Sequence, residues 1–151
     1  MANTQAMCTS FKTQLLTGTH NFGTAPIRAT TTADTFNAAL YLASATINAA
    51  TTVYSATDEV TGTGYTPGGI PITSWNAPTS TGTTAFTTPT VSFVYTTVTL
   101  STSFDSVLVY NVTQGGKAVS VHTFGAQTIT AGTFTLTMPS NTSTTALLRI
   151  A

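Results

Sequence analysis

The sequence predicts a mainly β chain, a single antiparallel β-sandwich, jelly roll or small barrel with a short N-terminal helix and an extended arm. Three observations predict it. Threonine supplies 39 of the 151 residues, and its branched Cβ restricts χ1 in a way that suits a pleated, half-exposed surface. Apolar and hydroxyl residues alternate with period two in several stretches, the pattern of strands with one face on a core. Turn residues also punctuate the second half of the chain roughly every 8–12 positions, as they do in sandwiches and small barrels. A chain this long buries roughly 68–70% of the surface its unfolded form exposes, enough for one sizeable core. The expected organisation is therefore residues 1–34 as helix and arm, and residues 35–151 as one β-domain.

Residues 4–17 predict the helix. Met7, Phe11 and Leu15 recur at four-residue spacing with Cys8 and Leu16 alongside, Asn3 or Thr4 can cap the start, and Gly18 can end it. So short a helix is marginal alone, and its stripe has to pack on a sheet or a neighbouring subunit. From Thr19 to Asp34 the mixture of Gly23, Pro26 and the Thr30-Thr31-Thr32 run reads as loop or arm. Residues 35–43 place Phe36, Ala38, Leu40 and Leu42 on one side of a strand. Residues 44–60 keep two readings, plain loop or loop with a helical turn, ending near Asp58-Glu59. Between Thr61 and Pro89 the breakers Gly62, Gly64, Pro67, Gly68, Gly69, Pro71, Pro78 and Gly82 predict long connections around one short strand at 70–75. Long loops in a small domain usually serve function, and without catalytic groups that function is contact.

Beyond Pro89 five strands are expected, at 91–100, 104–111, 118–124, 127–138 and 145–150. Thr113-Gln114-Gly115-Gly116 reads as a hairpin turn, and Gly125-Ala126 as a second turn. The fourth strand is the clearest: Phe134, Leu136 and Met138 alternate with Thr133, Thr135 and Thr137, giving one core face and one hydroxyl face.

Charge is scarce. Lys12, Arg28, Asp34, Asp58, Glu59, Asp105, Lys117 and Arg149 are the only formally charged side chains, 5% of the chain, against about 25% in ordinary soluble domains. Four carboxylates, two histidines and one cysteine leave little for acid–base, nucleophilic or metal chemistry, so no catalytic residue, cofactor or metal is expected. His20 and His122 have no second ligand at metal spacing and read as structural. Asp58-Glu59 offers too few oxygens for calcium. Cys8 reads as a small packed residue. No nucleophile-elbow sequence supports a Ser–His–Asp triad, and the glycines of 64–69 come without the lysine of a phosphate cradle. Thr-X-Thr triplets recur at no fixed period, which argues against an ice-binding solenoid. Net charge is zero with scattered cations, so nucleic acid is not an expected partner. The start shows no signal-like pattern and no run nears 18 apolar residues, so neither secretion nor a membrane span is expected. A lone Cys8 fits synthesis in a reducing cytoplasm.

Tyr65, Trp75 and Phe86 fall in the breaker-rich middle, where they either cap sheet edges or anchor a partner. Together with Met7, Phe11 and Leu15 they form the candidate interface set. An almost uncharged sheet has few means of blunting its edges, so pairing with copies of itself or with a partner is the natural outcome.

Three stretches, MANTQAMCTSFKTQLLTG, ALYLASATIN…YSATDEVTGTGYTPGG and KAVSVHTFGAQTITAGTFTLTMP, resemble small Thr-rich virion structural proteins of tailed bacteriophages. The resemblance spans most of the chain and carries no catalytic signature. It implies an assembly component, foremost a capsid cement or decoration protein on the capsid surface that is made in the host bacterial cytoplasm. It further implies a homo-oligomer, with a trimer as the expected form, seated on the major capsid protein. Two alternatives stand beside it: a tail-associated component such as an adaptor, tube or fibre-base protein, and a carbohydrate-binding β-module built on Trp75, Asn76, Tyr65 and Asp58.

Overall fold

Two antiparallel sheets make up the chain, a β-sandwich rather than a closed barrel, seen in a computed structural model that describes residues 3–16, 19–20, 22 and 33–151. The elements are β1 (Ala6–Met7), α1 (Thr9–Leu16), β2 (Phe36–Leu42), β3 (Ile70–Ile72), β4 (Thr79–Thr81), β5 (Thr84–Thr87), β6 (Phe93–Asn111), β7 (Lys117–Leu136) and β8 (Leu148–Ile150). The larger sheet has the order β1-β7-β6-β2-β3 and the smaller one β4-β5-β8.

The β6–β7 pair is the spine. Two expected strands on each side merge into one long strand, because the polar interruptions at Ser101-Thr102-Ser103 and Gly125-Ala126 are absorbed as irregularities in register rather than as turns. Thr97 and Ala131 take positive φ, of 53° and 46°, beside two of the register shifts. The tight connection falls where the sequence places it: Gly115 and Gly116, at φ of 70° and 80°, turn the chain between Asn111 and Lys117. Val112 N–H donates to the carbonyl of Thr35, and Gly116 N–H to that of Asn111.

β2 runs antiparallel to β6 from Phe36↔Asn111 to Leu42↔Phe104. Most of its side chains are buried, since both its faces are covered. The core joins Phe36, Leu40, Phe93, Val98, Leu100, Phe104, Leu108 and Val121 with Cys8 and Phe11 from the N-terminal segment. The alternation at the end of β7 is realised: Phe134 is buried, Leu136 and Met138 pack against the core, and Thr133, Thr135 and Thr137 are exposed.

Two further expectations are corrected. The helix begins at Thr9, not near Thr4, because Ala6 and Met7 pair with Val121 and Ser120. Its stripe packs on this chain's own sheet, with Phe11 1% exposed. The middle of the chain holds a hairpin, β4–β5, around Gly82, which its unbroken threonine pattern conceals. The arm expected within residues 1–34 concerns 17–18, 21 and 23–32, which lie outside the described residues.

Candidate functional site

Three places concentrate polar groups or unpaired backbone: a buried carboxylate, a cleft between the sheets, and the outer edge of β7.

The carboxylate is Glu59, 5% exposed. It is held at an isolated bridge between Tyr41 and Glu59, with Val60 N–H donating to Leu40 O and Leu42 N–H to Asp58 O. Its Oε2 accepts the Tyr54 hydroxyl at 2.6 Å, and its Oε1 accepts the Tyr65 hydroxyl at 2.7 Å and Gly68 N–H at 2.8 Å. The Tyr65 oxygen also accepts Leu40 N–H at 3.0 Å, which commits its proton to Glu59. The donors are neutral and point at one acceptor, a set that suits an ionised carboxylate.

All five tyrosines of the chain surround this centre. Tyr95 donates to Ala38 O, Tyr110 to Gly68 O and Tyr41 to Ser55 O. Rings stack in pairs, Tyr54 on Tyr110 at 4.6 Å and Tyr65 on Tyr95 at 6.0 Å. Burial raises every one of these phenols above its ordinary pKa, and the Glu59 charge adds to the rise; Tyr41 reaches about 12. The glycines read in the sequence as turn residues serve close approach as well. A Cβ on Gly69 would sit 1.9 Å from Ala38 O, and its φ is +74°. The segment from Tyr54 to Gly69 is thereby clamped onto β2 and β6, with Thr99 N–H donating to Thr63 O. Both oxygens of Glu59 are thus taken up by hydrogen bonds that hold this segment to the sheet. Sequence reasoning missed this centre, because the partners of Glu59 are tyrosines and one amide rather than a cation.

The N-terminal segment has its own buried polar group. His20 is hydrogen-bonded through Nε2 to Gln14 Oε1 and through Nδ1 to Asn111 Nδ2, and Asn111 also donates to Asp34. This ties the start of the chain to the β6–β7 turn.

The cleft, about 460 Å³, lies between β1, β7 and β8. Ser120 Oγ and His122 Nε2 lie 2.8 Å apart in it, as in a nucleophile–base pair. The resemblance ends there. Ser120 is 2% exposed, and no acid lines the cleft among the described residues to orient the imidazole. Burial lowers the His122 pKa to about 4, so the ring is neutral at pH 7. Arg149 reaches back to the carbonyl of Thr144. Cys8 is buried with its thiol pushed up to about 11, the environment of an inert sulfur. No group of His, Cys, Asp and Glu able to hold a metal occurs among the described residues, and no helix is long and apolar enough to cross a membrane.

The outer edge of β7 is different in kind. Thr52 covers it at Ala118, and β1 with Cys8 covers it from Val119 to Val121. From Thr123 to Leu136 its outer backbone has no backbone partner among the described residues, and no charged residue or proline occurs in that stretch. The terminal strands at the other sheet edges are defended, and β6 beyond the end of β2 meets the Thr63–Thr99 bridge on its other side. β3 contains Pro71, β8 contains Arg149, and β1 and β4 are two and three residues long. Register shifts divide the open edge, and its last stretch, Gly132–Leu136, lies opposite Phe93–Val98 with one further shift between Gly132 and Phe134, where β6 carries an extra residue.

The interface set from the sequence is scattered by the fold. Phe11, Tyr65 and Phe86 are buried in this chain, so their rings are not free to anchor a partner. Met7 lines the cleft from β1, and Leu15 packs half-buried against the core. Trp75 is half-buried against Phe36 and Phe22, at ring distances of 5.5 and 4.9 Å. The aromatic platform of a carbohydrate module is therefore not assembled: Tyr65 is internal, and Asn76 is bonded to Thr88. No protein-family model, curated protein or solved structure matches the chain, and its function has to be argued from its own residues and geometry.

Proposed function

We propose that this chain is a structural protein of a phage virion, acting as a capsid cement or decoration protein that braces the shell through contact alone. The observation that carries the proposal is the contrast between a locked interior and a neutral exterior. Inside, Glu59 and His20 are held by hydrogen bonds within the chain, whereas the exposed faces of β4 and of the far half of β6–β7 present threonine hydroxyls and methyls with no charge. Such a surface binds by backbone pairing, apolar contact and hydroxyl hydrogen bonds, which salt screens far less than surface ion pairs. The resemblance of the sequence to Thr-rich virion proteins points the same way.

The test is reconstitution. Purified protein is mixed with empty expanded capsids lacking it, and binding is followed by co-sedimentation at 0.1 and 1 M salt. Saturable binding that survives the higher salt and raises the capsid's disruption temperature supports the reading. Failure to bind capsids, together with co-purification with tails, assigns the chain to the tail instead.

A further inference from the structure

We infer that the open edge of β7 at Gly132–Leu136 is a self-association site, at which a second copy of this chain adds the same strand antiparallel across a two-fold axis. The inference deepens the assembly reading above and rests on it for its biological setting, though not for its physics.

The argument starts from unpaired backbone. An exposed strand edge is a template for another strand, and folded proteins blunt it with charge, proline, shortness or bulges. Here β1, β3, β4 and β8 each use shortness, proline or charge. β7 uses irregular register up to Gly132, and its final residues Phe134, Thr135 and Leu136 then run in register opposite Tyr95, Val94 and Phe93, with no charge or proline to deter a partner.

Charge selects the occupant. Neither Phe93–Ser103 of β6 nor Thr123–Leu136 of β7 contains a charged residue, so a partner chosen by charge finds nothing complementary there. A second copy meets no repulsion. Geometry favours the same occupant, because an antiparallel pair centred on Phe134 sets Thr133 of each copy against Thr135 of the other on the exposed face, a cross-strand pair that β-sheets favour. Val94, 42% exposed and paired to Thr135, then lies one strand in from the junction on each side. The product is a continuous sheet in the order β6-β7-β7-β6, and an isologous contact of this kind closes on itself and uses up the edge. This replaces the trimer of the sequence expectation with a two-fold unit.

The experiment is sedimentation velocity on the full chain across a concentration series, paired with amide exchange. Thr133→Lys and Thr135→Lys place charge on exposed side chains, and Thr81→Lys on the β4 edge is the control. Circular dichroism melts establish that each variant remains folded. The expected result is a dimer whose association is weakened at least about tenfold by either β7 substitution and unchanged by the control. Amides within 132–136 should gain protection as concentration rises. A chain monomeric at every concentration overturns the inference, and so does a dimer indifferent to both β7 lysines. A monomer that still saturates capsids defeats this inference and leaves the assembly reading standing. A β7-dependent dimer that ignores capsids does the reverse.

Discussion

The inner face and the outer edge of the far half of the β6–β7 ribbon are built on opposite terms. On the inner face, Tyr95 and Phe134 are buried, Tyr65 stacks on Tyr95, and the loop carrying Glu59 is fixed by three hydrogen bonds to one carboxylate. Along the outer edge, backbone groups from Thr123 to Leu136 have no partner strand among the described residues. One side is specified by many mutually dependent contacts, and the other by almost none. The difference is one of composition: one carboxylate and five tyrosines hold a loop to a sheet, while the outer edge is left to threonine and other uncharged residues.

The strongest way to break that comparison is to remove the acceptor. Glu59→Ala strands the hydroxyl of Tyr65 and the N–H of Gly68 in a buried site, and is expected to cost about 3 kcal/mol or more in urea unfolding. Glu59→Gln keeps an acceptor for those two donors and turns its amide toward half-buried Tyr54, so about half that loss is expected. Gly69→Ala should be of similar size, about 3 kcal/mol, since the new methyl meets the Ala38 carbonyl at 1.9 Å and the backbone is left-handed. Gly82→Ala separates the two causes: its φ is +60° with open space around it, so only the conformational penalty of about 1 kcal/mol remains.

Alkali probes the same centre. A phenol whose folded pKa lies above its unfolded value of 10 favours the folded chain while neutral. Its contribution is whole below pH 10 and is lost as pH rises through the folded value; for Tyr41, at about 12, that is on the order of 2–3 kcal/mol. The other four phenols are raised too, so unfolding midpoints should fall steeply above pH 10. His122 acts at the acid end with the opposite order of events. Its pKa drops from 6.5 to about 4 on folding, so its contribution is whole above pH 6.5 and lost on acidification through pH 4. For a half-buried ring this is about 2 kcal/mol, removed from the pH profile by His122→Gln. The smallest effect belongs to the open side: Thr133→Lys and Thr135→Lys should shift monomer stability by less than about 0.5 kcal/mol, in contrast to their effect on association.

What the sequence made legible follows from which forces act locally. β2, the turn at Gly115-Gly116 and the alternation from Thr133 to Met138 are written in nearest-neighbour patterns, and the fold keeps them. The β4–β5 hairpin was not legible, because Thr79, Ser80, Thr81 and Thr84 offer no apolar face to alternate. The helix start was misplaced because Ala6 and Met7 answer to the edge of β7, a contact more than a hundred residues away in sequence. Glu59 carries no local signature at all: its partners are brought to it by loop closure, and a tyrosine hydroxyl looks the same in a sequence whether it faces water or an acid. Burial of the candidate interface residues is equally non-local: Phe11 on the helix stripe and Tyr65 and Phe86 in the breaker-rich middle are buried by segments distant in sequence.

The geometry of the β6–β7 turn also sets an order of events in time. Beside the turn, Asn111 faces Lys117, while at the far end Phe93 faces Leu136 across more than forty residues of chain. Loop closure makes near pairs form before distant ones, and each register irregularity on the way is a point where zippering can pause. The last rungs to close are therefore Phe93–Tyr95 with Phe134–Leu136, so a newly made chain exposes Phe134 and the bare edge beside it together. Two chains that meet in that interval do so along the stretch that closes last, which is also the one with no charge to turn a wrong partner away.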